Sequence, residues 1–366
     1  MRITSFQVYT YSLPLTTPIW IKKTSLNSRQ GLILQLINEK NQIGFGEIAP
    51  LPGFNREHLE EAISEIKRIG SFLLKQEIDD SPLEYSGKFQ RWLNGIKISP
   101  SVRFGIEMGL VNLKAASRHL QLYELFSSTI PTQIEVNALL GENTFDIESA
   151  TRKLMAEGYR TIKLKVGRNK LEDEIERVKK LREVGGEKLK IRLDANQAWS
   201  LSEAVHFGNS IRDIKIEYIE EPLRDPSRLF SFYQQCELPV ALDESLTTID
   251  IERYRWESGI KAIVLKPTIV GGFAKTIQIL KSAQSAGIYS VFSSTFESGL
   301  TLSWLAQLAA VYSPHGCAAG LDTYKWLKED LLERPFRVRK GKVAVKKIAA
   351  HSQKINFDKL KIVFTT

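Results

Sequence analysis

The sequence has little of what staples, ligates or anchors a chain. Only two cysteines occur in 366 residues, Cys236 and Cys317. They form neither a Cys-x-x-Cys pair nor a disulfide framework, so they read as ordinary core thiols in a reducing compartment. The five histidines, His58, His119, His206, His315 and His351, have no zinc-type spacing, and none accompanies a nucleophile motif. Long hydrophobic runs are missing too. The best, Leu302–Tyr312, is about half of a membrane span and is interrupted by Ser303 and Gln307. The N-terminus, Met1-Arg-Ile-Thr-Ser-Phe-Gln-Val, alternates apolar with polar and lacks the apolar stretch of a signal peptide. These absences predict a cytoplasmic protein with no membrane insertion.

Acidic charge is also in deficit, with 42 Asp+Glu against 51 Lys+Arg and a formal net charge of +9. Much of the excess lies between Arg334 and Lys361, while elsewhere, as in Leu171–Lys190, basic residues are interspersed with acids. No pattern of stacking aromatics and arginines accompanies them, so the reading is a solvated basic surface, with no nucleic-acid partner. The composition, 25% charged and 43% hydrophobic, is that of a soluble globular protein. Its length suits two domains, or one barrel with an appendage.

Residues 2–11, 31–37 and 43–48 alternate or are β-branched, with turn residues at Asn38–Asn41, and predict an antiparallel meander. Helical spacing follows in Glu57–Leu74 and Val102–Leu125, with Ser101 as the expected N-cap of the second. Segregated strands and helices indicate a small α+β domain over residues 1–130. From there to residue 322 short apolar runs alternate with amphipathic stretches: Ile134–Leu140, Thr161–Val166, Leu189–Asp194, Ile216–Glu220, Val240–Asp243, Ala262–Lys266, Tyr289–Ser294 and a weak one at Cys317–Leu321. That order predicts an α/β fold of the parallel barrel type, with a doubly wound open sheet as the rival. Ser200-Leu-Ser-Glu203 fits a capping box, and Gly158, Gly259 and Gly287 fall where helices would end. Residues 323–366, basic and less periodic, read as a return segment packing on the first domain or the barrel rim.

Charged residues close these strands. Lys163 and Lys165 lie in Thr-Ile-Lys-Leu-Lys-Val, and Asp194, Glu220, Asp243 and Lys266 each end an apolar run, at steps of 29, 26, 23 and 23 residues from Lys165. In a parallel barrel all of them would project from the C-terminal face, where barrel enzymes keep their active sites. Three converging carboxylates repel unless a cation sits among them, and an all-oxygen set without His or Cys points to Mg²⁺ or Mn²⁺. Taken singly, each acid could equally be a helix N-cap in a βα loop. Lys163 and Lys165 share one strand face, and a neighbouring ammonium and a divalent cation would both push a lysine pKa down toward the range of a general base. With Lys266 facing them, the set describes proton abstraction next to a carboxylate on a small-molecule substrate. Gly44-Phe-Gly46-Glu-Ile-Ala49 matches a dinucleotide fingerprint formally, but Pro50 and Pro52 stand where its helix should start.

The pattern of Lys-x-Lys, three acids and a final Lys resembles the enolase superfamily, in particular its muconate-lactonizing subgroup. Gly44-Phe-Gly-Glu-Ile-Ala-Pro-Leu-Pro-Gly-Phe54, Pro100-Ser-Val-Arg-Phe-Gly-Ile-Glu107 and Ser293-Ser-Thr-Phe-Glu-Ser-Gly299 are most similar to the o-succinylbenzoate synthase family. The resemblance covers nearly the whole chain. It implies a modified (β/α)₇β barrel with an N-terminal α+β capping domain, and dehydration of 2-succinyl-6-hydroxy-2,4-cyclohexadiene-1-carboxylate on the route to menaquinone or phylloquinone. It further implies that Asp194, Glu220 and Asp243 bind Mg²⁺, with Glu220 rather than Glu221 as the ligand. Lys165 would be base and then acid, Lys163 would stabilise the enediolate, and Lys266 would set its cation against the substrate ring. Pro52, Gly53 and Phe54, with the segment around Ile19–Thr24, would cover the substrate, and Ser293, Ser294 and Gly299 would line its pocket. Thr268-Ile-Val-Gly-Gly272 is similarly placed, or is a turn entering the next helix. Dipeptide epimerases, N-acylamino acid racemases and muconate cycloisomerases share the constellation, and a homo-oligomer is left open.

Overall fold

Asn38 turns the chain locally: its Oδ1 accepts from the backbone N–H of Lys40 at 3.0 Å and of Gln42 at 2.9 Å, and Asn41 takes φ +58°. The strands on either side therefore pair antiparallel. The computed structural model describes residues 1–21, 24–74, 78, 87–141 and 144–365. Its first part contains β1 (Ile3–Ile21), β2 (Thr24–Asn38), β3 (Ile43–Ile48), α1 (Leu59–Leu73), α2 (Lys88–Asn94) and α3 (Pro100–Ser117). β1 and β2 are longer than alternation predicts, because Pro14 and Thr16-Thr17-Pro18 interrupt the pattern at an irregularity beyond which Ile19–Ile21 pairs again.

The start of α3 differs from expectation. Ser99 holds the N-cap position and Pro100 the first helical turn, which suits its fixed φ. The Ser101 hydroxyl lies inside the helix and donates to Glu57 Oε1 at 2.6 Å. α3 also stops at Ser117 rather than near Leu125. His119 takes φ +58°, and Leu122–Leu125 is a separate turn of 3₁₀ helix. The glycines of the rejected fingerprint serve packing, since a Cβ on Gly46 would lie 1.9 Å from the Gly105 carbonyl oxygen of α3. Gly46→Ala is expected to destabilise the protein by about 1–3 kcal/mol through overpacking, read as a lowered Tm; an unchanged Tm would contradict this close approach.

The second part runs β4 (Gln133–Glu135), β5 (Ala138–Leu140), α4 (Ile147–Ala156), β6 (Thr161–Lys165), α5 (Leu171–Gly185), β7 (Lys190–Asp194), α6 (Leu201–Ser210), β8 (Tyr218–Glu220), α7 (Leu229–Cys236), β9 (Val240–Leu242), β10 (Ile260–Leu265), α8 (Pro267–Val270), α9 (Phe273–Ser285), β11 (Tyr289–Phe292) and α10 (Gly299–Tyr312). Strands β5 to β11 form one parallel sheet in sequence order, which excludes the doubly wound arrangement, where order reverses at a switch point. The weak run Cys317–Leu321 forms no strand. Bridges Val136↔Ala319 and Ser293↔Gly320 instead join the two sheet edges. The Ser200/Glu203 capping box is present at α6, and Gly158 (φ +93°) and Gly287 (φ +77°) follow helices. Gly259, also at φ +93°, instead directly precedes β10.

The remaining elements are β12 (Lys342–Ala344), α11 (Val345–Ala349) and β13 (Lys361–Thr365). β12 pairs with β4, and β13 adds to the outer edge of β1. Buried Glu47 of β3 ties the first sheet to the barrel. It accepts from Tyr11 Oη at 2.5 Å and, on the barrel side, from the Ser298 hydroxyl at 2.8 Å and the Thr301 hydroxyl at 2.7 Å. Among the described residues no helix is long and apolar enough to cross a membrane.

Candidate active site

Parallel register aligns the charged side chains. Lys165 stands opposite Asp194, and Asp194 opposite Glu220, at the C-terminal ends of β6, β7 and β8. Asp243 follows β9 and Lys266 follows β10. Because alternate residues share a sheet face, Lys163 and Lys165 project together, and Asp194, Glu220 and Asp243 are 0%, 0% and 5% exposed.

The structure brings these six side chains into contact. Lys163 Nζ donates to Asp194 Oδ2 at 2.8 Å and to both Glu220 oxygens at 3.2 Å. Lys165 Nζ donates to Asp194 Oδ2 at 2.6 Å and to Asn196 Oδ1 at 2.5 Å. Lys266 Nζ donates to Asp243 Oδ2. Glu221, at φ +43°, is used differently: its carboxylate accepts from the backbone N–H of Asp243 at 2.8 Å and from the Ser245 hydroxyl at 2.7 Å. It fixes the loop that presents Asp243.

Burial would lower the pKa of Lys163, but the Asp194 and Glu220 carboxylates outweigh it and hold the ammonium above its usual range. The charges touching this lysine are acids, which favour its charged form. Lys266 is raised in the same way: burial opposes, and Asp243 and Glu220 prevail. Burial also works against the ionised form of Asp194, yet Lys163, Lys165 and Lys266 together hold its pKa below the usual carboxylate range. Burial pushes Asp243 well up, Lys266 pulls it back, and Glu244 and Glu220 push it further.

A cavity of about 90 Å³ adjoins the cluster, lined by Lys163, Lys165, Lys266, Phe54, Ser293 and Ser294 among others. Phe54 covers it, with Lys266 Nζ 5.8 Å from its ring centroid. Three residues expected at the pocket do not line it. Pro52 pairs with Asn55 in the turn before α1, Gly53 (φ +88°) leaves room for Ile21, and Gly299 starts α10. A Cβ on Gly299 would meet Asp330 Oδ2 at 2.0 Å, and its N–H donates to Asp330 Oδ1 at 2.8 Å. Of the segment around Ile19–Thr24, Lys22 and Lys23 lie outside the described residues. Gly271 and Gly272, at φ +107° and +105°, form the turn between α8 and α9.

Sequence reasoning missed Asn137, Asp322 and Thr323 on the cavity wall, and Asn196 beside Lys165. Asp322 accepts from Tyr159 Oη at 2.6 Å, and the Thr323 and Ser294 hydroxyls are 2.6 Å apart. The available signals were the Asp-Ala-Asn triplet that closes β7 and the polar Asp-Thr pair after the weak eighth run.

The donor set suits a hard divalent cation: three buried carboxylates with no nitrogen or sulfur donor among them. Among the described residues no three acidic, histidine or cysteine side chains stand as a metal cage, the ammonium nitrogens lying against the carboxylate oxygens instead.

A parallel barrel carrying acids and lysines at its C-terminal strand ends, joined to an α+β cap, defines a metal-dependent enzyme class. Residues 146–350 match the family described as enolase C-terminal domain-like, and residues 3–113 match MenC, N-terminal domain. The chain belongs to the enolase superfamily and, within it, to the o-succinylbenzoate synthase family. It is 30% identical to the o-succinylbenzoate synthase of Aliivibrio salmonicida, over 89% of this chain and 92% of that protein. It is 32% identical to the chloroplastic protein PHYLLO of Arabidopsis thaliana over 83% of this chain, but spans 20% of that longer protein. Among solved structures it resembles a dipeptide epimerase from Enterococcus faecalis complexed with Mg and the dipeptide L-Leu-L-Tyr, with TM-score 0.81 and 23% identity, covering 99% of this chain and 100% of that one.

Proposed function

We propose that this chain dehydrates 2-succinyl-6-hydroxy-2,4-cyclohexadiene-1-carboxylate to o-succinylbenzoate in menaquinone or phylloquinone biosynthesis. The observation that carries the reading is the placement of Lys165 and Lys266 on one cavity beside three buried acids, in a chain 30% identical to the o-succinylbenzoate synthase of Aliivibrio salmonicida. Asp194, Glu220 and Asp243 would hold Mg²⁺, or Mn²⁺ in its place. A divalent cation there would draw charge from the substrate carboxylate and acidify the adjacent C–H.

Lys165, in its neutral form, takes that proton. As the resulting ammonium it returns the proton to the departing hydroxyl on the same ring face, so water leaves and the ring becomes aromatic. Asn196 fixes the Lys165 amine by accepting from it at 2.5 Å, and Lys163 offsets the charge that develops on the substrate carboxylate. Lys266 stays cationic, held up by its carboxylate neighbours, and faces the ring. The Phe54 ring now over Lys266 stands where the substrate ring would lie, so admission of substrate moves Phe54 outward. The two free cysteines fit a reducing, cytoplasmic setting.

Loss of cyclohexadiene absorbance with this substrate tests the reading. We expect turnover that chelation abolishes and added Mg²⁺ restores. The second reading, dipeptide epimerisation, rests on the fold shared with the Enterococcus enzyme. Metal-loaded, folded protein that leaves the cyclohexadiene untouched but exchanges dipeptide α-protons in deuterated water would establish it instead.

A further inference from the structure

A second cavity, about 390 Å³, lies on the flank of the barrel between α10, β12, α11 and the segment before β12. It shares no lining residue with the catalytic cavity. Its volume falls in the range of small-molecule sites, roughly 300–1,000 Å³. Five cationic side chains surround it: Arg334, Arg337, Arg339, Lys342 and Lys347. Among the described residues none of the five has a carboxylate within 4.0 Å. Some exposed cations elsewhere are paired, as in Arg152 with Glu148, Lys179 with Glu176 and Arg212 with Glu237, and others stand singly, but here five unpaired ones line a single cavity. Unneutralised like charges around a concave surface attract anions.

The interior differs from the rim. Leu332 and Phe336, 4% and 2% exposed, and half-buried Ile348 form apolar walls. Two lining residues also carry unsatisfied polar groups. The Ser303 hydroxyl is buried without a hydrogen-bond partner. Arg334 Nη1 lies 2.8 Å from His351 Nε2, and since a guanidinium only donates, Nε2 accepts and the ring proton sits on Nδ1, which is buried and unpartnered.

We propose that this cavity is a second binding site for a small organic anion: an apolar, ring-sized body bearing a carboxylate, sulfonate or phosphate. The body would lie against Leu332, Phe336 and Ile348, and the acid group would meet the arginines. The assignment is independent of the reaction catalysed above.

The test uses the full chain and the fluorescent anion 8-anilinonaphthalene-1-sulfonate, with the Lys165→Ala variant to distinguish this cavity from the catalytic one. We expect saturable binding at one site, weakened about tenfold or more in the Arg337→Gln/Arg339→Gln double variant. The uncharged N-phenyl-1-naphthylamine should bind about tenfold more weakly or worse, and Lys165→Ala should leave dye binding as in wild type. Ser303→Leu, which fills the floor, should also weaken it. Should that variant not fold, the exposed arginine pair carries the test. No saturable binding, equal affinity in the double variant, or equal affinity for the neutral dye would overturn the proposal. So would displacement of the dye by a short DNA duplex or phosphatidylglycerol vesicles but not by free benzoate, since the patch would then serve a polyanion or a membrane surface.

Discussion

Lys165→Ala is expected to lower kcat for the cyclohexadiene dehydration by about 10⁴-fold, the upper range for loss of one general acid–base group, because the same amine serves as base and then acid. The fold should survive the change. Lys165 is 23% exposed at its side chain and its ion pair is with Asp194, which keeps Lys163 at 2.8 Å. Thermal unfolding should therefore stay close to wild type, and the loss should appear in kcat rather than in folded protein. Lys266→Ala supplies the contrast. If Lys266 acts only as a cation over the ring, its removal should cost roughly tenfold, as for a cation–π contact of one to two kcal/mol. In an epimerase both lysines exchange protons, and the two variants should fall by similar large factors. Comparable losses for the two substitutions would therefore sink the dehydratase assignment of roles even if some turnover of the cyclohexadiene were seen.

The sequence carried this contrast because a charge at the end of an apolar strand leaves few alternatives. A strand buried on both faces admits Lys163, Lys165 or Asp194 only where something at its C-terminal end receives them, and the regular steps between them matched one βα unit each. The choice of Glu220 over Glu221 came from the family resemblance instead; in the structure the first acid is in register with Asp194, and the second, at φ +43°, holds the Asp243 loop. Features set by distant partners were not legible. Ser101 looks like an N-cap until Glu57, 44 residues away, takes its hydroxyl. Gly299 looks like a pocket glycine until Asp330 occupies the space its Cβ would need. Asp322 and Thr323 reach the cavity from a stretch whose apolar run is too weak to form a strand, and which two isolated bridges hold in place. Long-range hydrogen bonds have no periodicity, so a reading built on periodicity passes over them.

Glu220→Gln provides the second large effect, read as metal-linked stability. A cation that binds only the folded chain stabilises it by RT ln(1 + [L]/Kd), about 2.7 kcal/mol at a concentration 100 times Kd. Replacing one of three carboxylate donors by an amide should weaken binding by at least the roughly 100-fold seen for outer-shell partners. At the same Mg²⁺ concentration the variant would then gain only about 0.4 kcal/mol. For a chain of 366 residues the difference corresponds to a Mg²⁺-induced Tm shift about 3 °C smaller than in wild type. Without metal the two proteins should melt close together, because the amide introduced by Glu220→Gln would still offer one oxygen to Lys163, which also keeps Asp194 at 2.8 Å. Glu221→Gln is the counterpart: its carboxylate positions Asp243 through a backbone N–H at 2.8 Å, a contact the amide oxygen can retain. Its metal-induced shift should therefore stay nearer to wild type. If the order were reversed, with Glu221→Gln abolishing the shift and Glu220→Gln preserving it, the ligand assignment would move to Glu221, and Lys163 would be left paired with a carboxylate that holds no metal.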